Sequence, residues 1–122
     1  MRRGQVYDAR LEPIEGSEQG GNRPVIIVSR DGINANSNLV VAVPCTTYRP
    51  ERRIYPSQIL IPAPDGGLDR DTIALGEQVR AISKSRLLRW RGILSDAVMA
   101  QLDKALLITL DLPGQFDEDN DN

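Results

Sequence analysis

Residues 16–28 read Gly16-Ser17-Glu18-Gln19-Gly20-Gly21-Asn22-Arg23-Pro24-Val25-Ile26-Ile27-Val28. The second half, from Pro24 to Val28, is a short, continuous, β-branched run of the kind that forms a strand buried on both faces. The first half is a loop of glycines and small polar side chains carrying one carboxylate and one guanidinium. Before it, Gln5 to Leu11 mixes apolar and polar residues as a strand does. A packed core has little use for such a loop between two strands. A site that approaches a phosphate backbone closely does, because glycines let the main chain come near and its N–H groups can point at phosphate oxygens. Arg23 can bind an anion in bidentate fashion. Preceding Pro24, it is held extended at the mouth of the strand, so its fork projects from a fixed base.

Working outward, Asp31 to Ser37 is turn-rich, with room for one helical turn. Leu39 to Val43 is a third apolar strand that ends at Thr46-Thr47, and Tyr48 to Arg53 is a polar loop with three arginines. Ser57 to Ile61 reads as a fourth strand and Pro62 to Arg70 as a Pro/Gly/Asp loop. Thr72 to Leu75 and Glu77 to Ile82 read as two further strands, broken at Gly76. Ser83 can cap a short turn ending near Leu87. Trp90, flanked by Leu87, Leu88, Ile93 and Leu94, is expected in the core or at a subunit interface. Ser95 followed by Asp96 is a helix N-cap with an acid in the first turn. Val98, Leu102, Ala105, Leu106 and Leu110 then recur at helical spacing until Pro113-Gly114 stops the helix. Many short strands and one terminal amphipathic helix imply a mainly β fold, bent into a small barrel.

The 122 residues make one domain, expected over residues 1–112. The remaining residues, 113–122, form a tail too acidic and polar to fold. No apolar run reaches the roughly 18 residues that span a bilayer. Met1-Arg2-Arg3 leads into Gly4, Gln5 and Asp8, without the apolar stretch of a signal peptide. Cys45 is alone, which excludes an internal disulfide and suits the cytosol; its apolar neighbours predict a buried, inert thiol. The net charge of −2 hides an asymmetry, for residues 117–122 hold four of the 17 acids and none of the 15 bases. The body is therefore basic, and 13 of its 15 cations are arginines, which suit planar phosphate contacts.

The chain contains no histidine. That excludes a Ser-His-Asp hydrolase, a two-histidine ribonuclease mechanism and the commonest zinc sites, and it denies Cys45 the partner of a Cys-His nucleophile. The acids are scattered, without a metal motif. Any catalysis must use arginine, carboxylates, hydroxyls and main-chain N–H groups. Cleavage of RNA by its own 2′-OH needs no more than these, namely removal of a proton, stabilisation of charge on phosphorane oxygens and protonation of the leaving 5′-oxygen. Arg23 is the first candidate. Thr46 and Thr47 point to opposite faces of their strand, so only one can share a groove with Arg23. Glu18 and Glu77 are the candidate bases. Ser17, Gln19 and Gln78 can read base edges or phosphates. Arg49, Arg52 and Arg53, flanked by Tyr48 and Tyr55, put charge beside stacking faces, as single strands require.

The loop Gly16 to Pro24, the strand end Val43-Pro44-Cys45-Thr46-Thr47, the pair Tyr55-Pro56 and the element Glu77-Gln78-Val79-Arg80 resemble, in order and spacing, the MazF/PemK toxins. These are small ribonucleases of bacterial toxin–antitoxin pairs. The resemblance runs from Arg3 to Leu112. It implies a partly open SH3-like barrel with a C-terminal helix, the PemK/CcdB-like form. It implies a homodimeric, cytoplasmic, metal-independent endoribonuclease that needs no cofactor, cuts single-stranded RNA at a short sequence, and leaves a 2′,3′-cyclic phosphate and a 5′-OH. A MazE-like antitoxin would inhibit it. The same likeness makes Arg23 a catalytic position and selects Thr46 as the functional hydroxyl, and in some relatives it places an acid at the position of Glu77. Two other readings stay open. One is a CcdB-like gyrase-inhibiting toxin on the same fold, although that type ends in a hydrophobic, Trp-containing segment and this sequence ends in acids and asparagines. The other is a non-catalytic SH3-like binding module.

Overall fold

A computed structural model describes residues 1–114; most of the acidic tail expected at 113–122 lies outside the described residues. The elements run β1 (Gln5–Arg10), β2 (Asn22–Ile27), α1 (Asp31–Asn36), β3 (Leu39–Thr47), β4 (Gln58–Ile61), β5 (Thr72–Leu75), β6 (Arg80–Ser83), β7 (Leu87–Ile93) and α2 (Asp96–Leu110). All strand pairs are antiparallel, in the order β4-β5-β3-β2-β1-β7, with β6 also on β3. The fold is mainly β with a C-terminal helix, as the sequence implies. The barrel is open, because β4 and β7 remain edges and the sheet does not close.

The nine-residue β3 organises the molecule. Its side chains alternate between two cores, as strand geometry dictates. Val43 and Cys45 join Val6, Ile26, Ile61, Leu68, Leu94 and the helix residues Val98, Leu102 and Ala105. Val40 and Ala42 join Ala9, Leu11, Val25, Ile27 and Ile82 on the other face. One edge of β3 pairs first with β6, Ala42 opposite Arg80, and then with β5, Cys45 opposite Ala74. Between those pairs residues 75–79 lie opposite only Val43 and Pro44. The surplus is taken up by a 3-10 turn at Gly76–Gln78, closed by the Val79 N–H donating to the Gly76 carbonyl at 3.1 Å. Pro44 has no N–H to offer a ladder at this point. The strand expected from Glu77 to Ile82 is thus a bulging turn followed by β6.

Two further departures concern the C-terminal third. The segment around Trp90 is an edge strand, β7, paired to β1, and Trp90 is 55% exposed, which excludes the first of its two expected placements, the core, and not the second, a subunit interface. The strand packs so closely on the turn Asp65–Gly67 that a Cβ on Gly67 would lie 2.0 Å from the Arg91 carbonyl oxygen. Helix α2 starts where the sequence predicts. Ser95 accepts from the Val98 N–H at 3.3 Å, and its own N–H and hydroxyl donate to the Asp65 carboxylate at 2.8 and 2.7 Å. It ends three residues before Pro113-Gly114, because Asp111 takes a left-handed conformation (φ 54°) and its N–H and that of Leu112 turn back to the carbonyls of Ile108 and Leu107. No helix among the described residues is long and apolar enough to cross a membrane.

Candidate active site

Strand register brings the candidates together. Arg23 stands opposite Ala9, and Val25 opposite Pro44. The β2–β3 ladder ends at that pair, two residues short of Arg23 on one strand and of Thr46 on the other. Both lie on the face of Ala9, Val25 and Ala42, since side chains two apart on a strand share a face. Thr47 falls on the other face, where it lines a depression with Tyr48, Arg49, Arg70 and Asp71.

Each side chain is held by its own local structure. Arg23 donates from Nε to the Gly20 carbonyl at 3.1 Å, and its two terminal nitrogens have no hydrogen-bond partner among the described residues. Thr46 is 8% exposed, and its Oγ1 accepts from Arg52 Nη1 at 3.4 Å. A hydroxyl that accepts on one side keeps its proton for a second partner. The 49–53 loop reaches back to the strand end because a turn, closed by the Arg52 N–H on the Arg49 carbonyl at 2.8 Å, reverses it.

The bulge at Gly76–Gln78 completes the site. The Gln19 N–H donates to Gln78 Oε1 at 2.8 Å and ties the glycine loop to that turn. Glu18, Gln19, Pro44, Glu77, Gln78, Val79 and Arg80 line the resulting cavity of about 220 Å³. The two candidate bases differ in their engagement. Glu77 accepts from Ser57 Oγ at 3.3 Å and from Gln58 Nε2 at 2.8 Å, one on each oxygen. Glu18 accepts the Glu15 N–H on one oxygen at 2.8 Å, and the other oxygen has no partner among the described residues.

The remaining candidates are less closely gathered. Ser17 is exposed in the loop, and Arg49 belongs to the depression on the Thr47 side. The Arg53 guanidinium sits 5.0 Å from the centroid of the Tyr55 ring, so that pair is already stacked. Arg80 joins the candidates. Opposite Ala42 in the ladder, it lies on the face of Arg23 and Thr46, and its guanidinium makes no hydrogen bond or ion pair among the described residues. The pairing of β6 with β3 puts it there, and the signal in the sequence is its place as the basic residue that ends the element Glu77-Gln78-Val79-Arg80.

Arg52 contacts the Thr46 hydroxyl, and Arg23 and Arg80 lie on the same face of an open β-sheet, beside a glycine loop. The profile of the family described as PemK-like, MazF-like toxin of type II toxin-antitoxin system matches residues 2–110, and the chain belongs to that family. It is 41% identical, over 92% of its length and 98% of the relative's, to Endoribonuclease MazF9 of Mycobacterium tuberculosis (strain ATCC 25618 / H37Rv). Among solved structures, an endoribonuclease in complex with its cognate antitoxin from a mycobacterial species superposes with a TM-score of 0.78 at 29% identity, covering 93% of this chain and 98% of that one. MazF from Deinococcus radiodurans superposes with a TM-score of 0.78 at 25% identity, covering 92% and 97%.

Proposed function

We propose that this endoribonuclease toxin of the MazF-like family cleaves single-stranded RNA by internal transesterification, with the scissile phosphate bound between Arg23 and Thr46. The observation that carries the reading is the shared face of those two side chains, with the terminal nitrogens of Arg23 and the proton of Thr46 left available. The 2′-OH gives up its proton and attacks the adjacent phosphorus, the bond to the 5′-oxygen breaks as that oxygen takes a proton from solvent, and the products are a 2′,3′-cyclic phosphate and a 5′-OH. Arg23 and Thr46 donate to the non-bridging oxygens, where charge builds in the transition state. Glu18, with one oxygen unengaged, is better placed than Glu77 to accept the nucleophile's proton. Arg80, Arg52, Gln19 and Gln78 bind the flanking nucleotides.

The partners follow from the same surface. A cationic groove of this kind suits an acidic or amphipathic antitoxin segment, and the mycobacterial relative was solved with its cognate antitoxin. We propose a cytoplasmic homodimer. An apolar groove between β4 and α2 is lined by Ile54, Pro56, Ile59 and Ile108, and Leu110 and Leu112 at the end of α2 are exposed. Light scattering at micromolar concentration without antitoxin should give a dimer mass; a monomer mass rules the dimer out.

The test of the chemistry is a long single-stranded RNA cut in EDTA, followed by mapping of one site and its end groups. A single 2′-deoxynucleotide immediately 5′ of that phosphate should abolish cutting there and leave binding largely intact. Comparable cutting of the deoxy-substituted strand sinks the mechanism.

A further inference from the structure

We infer that Glu12 is a positioning residue for Arg23, acting through a single peptide group of the glycine loop. The inference rests on the reading of Arg23 as a phosphate donor. The peptide in question joins Gly20 to Gly21. Its N–H, on Gly21, donates to Glu12 Oε1 at 2.7 Å. Its carbonyl, on Gly20, accepts from Arg23 Nε at 3.1 Å. The peptide unit is planar and rigid, so the carboxylate at one end fixes where the carbonyl points at the other. The two bonds also polarise one another through the amide.

The surroundings allow little other placement. Gly21 has φ +71°, a conformation that favours glycine, and its carbonyl accepts the Leu11 N–H at 2.9 Å. A Cβ on Gly20 would lie 2.8 Å from Glu12 Oε1 and 2.5 Å from Ile14 Cγ2, so a side chain at residue 20 would crowd the carboxylate beneath the loop. The backbone of Glu12 is itself held, since Arg86 Nη1 donates to the Glu12 carbonyl and, at 3.1 Å, to that of Arg10. With Nε committed to the loop, the guanidinium presents its two terminal nitrogens in one direction. Without Glu12 the peptide can rotate, and Arg23 must be ordered anew at each encounter with the phosphate. Misplacement of a catalytic group is costly even when the group is present.

The test is single-turnover cleavage of one mapped RNA site, with the maximal rate and the half-saturating concentration measured separately. Glu12→Ala should lower the maximal rate about tenfold and change half-saturation little. Glu12→Gln, whose amide oxygen can still accept from Gly21, should recover most of the rate. Gly20→Ala, which drives the carboxylate out, should reproduce the loss. In the Arg23→Ala background, Glu12→Ala should cost nothing further. The Arg23 Nε–H resonance should be protected from solvent exchange in the wild type and in Glu12→Gln and unprotected in Glu12→Ala, a readout that does not depend on activity. Wild-type cutting by Glu12→Ala, an equal loss with and without the Arg23 guanidinium, or a protected Nε–H in Glu12→Ala overturns the inference while Arg23 keeps its role. Wild-type cutting by Arg23→Ala removes that role and the inference with it.

Discussion

Thr46 and Thr47 differ by one position along β3, and that position decides which of them faces Arg23. Thr46 lies in line with Ala42 and Pro44, accepts from Arg52 and keeps its proton to donate. Thr47 pairs with Thr72 and turns to the depression that holds Arg49 and Asp71. Arg23→Ala should therefore lose about a hundredfold or more in single-turnover rate, the scale of one lost donor to a developing oxyanion. Arg23→Lys should restore this only in part, since a point charge replaces a fork whose Nε is already spent on Gly20. Thr46→Val keeps the shape and removes the proton, so it should lose rate, while Thr47→Val should lose far less. Circular dichroism should show all four variants folded, because neither hydroxyl nor guanidinium belongs to the two cores. Near wild-type cutting by Arg23→Ala, or a rate that depends on Thr47 and not on Thr46, defeats this assignment.

At the scale of elements, the Asp65–Ser95 contact joins the turn under β7 to the start of α2. The carboxylate takes both the N–H and the hydroxyl of the capping serine. Asp65→Ala should lower unfolding free energy by about 1–2 kcal/mol, read in urea denaturation as a lower midpoint with an unchanged slope. Asp65→Asn, which keeps one acceptor, should lose less; equal stability of Asp65→Ala and the wild type rejects the contact as a contributor. The same region was hardest to read from sequence. Strands β1 to β5 were legible because β-branched runs or alternating residues stand between turn-forming residues. β7 was not, since register shifts against β1 between Val6 and Tyr7 and between Asp8 and Ala9 break its alternation, and Leu88, Trp90 and Ile93 all end half-exposed. Glu77-Gln78 reads as the start of a strand because a bulge opposite Pro44 is a property of pairing, invisible in either segment alone. Helix α2 ends at Leu110, two residues short of the boundary that Pro113 sets, because a left-handed Asp111 is not the residue type that marks a helix stop. In the site, Arg23 and Thr46 were legible from a loop and a strand end, whereas the placing of Arg80 and Glu12 depends on which strands and loops meet.

For the whole molecule, Cys45 serves as a reporter. It sits at 0% exposure in the larger core, on the strand both cores share and directly opposite Ala74 of β5. Burial alone pushes its thiol from an ordinary 9.0 to about 12, because the interior disfavours the thiolate. A thiol reagent near neutral pH should therefore react only with chains that have opened globally, and its rate should track the unfolding equilibrium rather than local fraying. The sign with pH follows from the direction of the shift. The folded chain holds the Cys45 proton more tightly than the unfolded chain, so this contribution to stability is complete below pH 9. It is lost as pH rises from there through about 12. Other groups titrate in the same window, so the measurement is a difference. Urea midpoints of the wild type and Cys45→Ala, taken from pH 7 upward, should keep a constant gap until about pH 9, above which the wild type loses its advantage. A gap that stays constant to high pH, or a thiol modified rapidly in the folded protein at neutral pH, means that β3 opens without the rest of the fold and that the two cores do not behave as one cooperative unit.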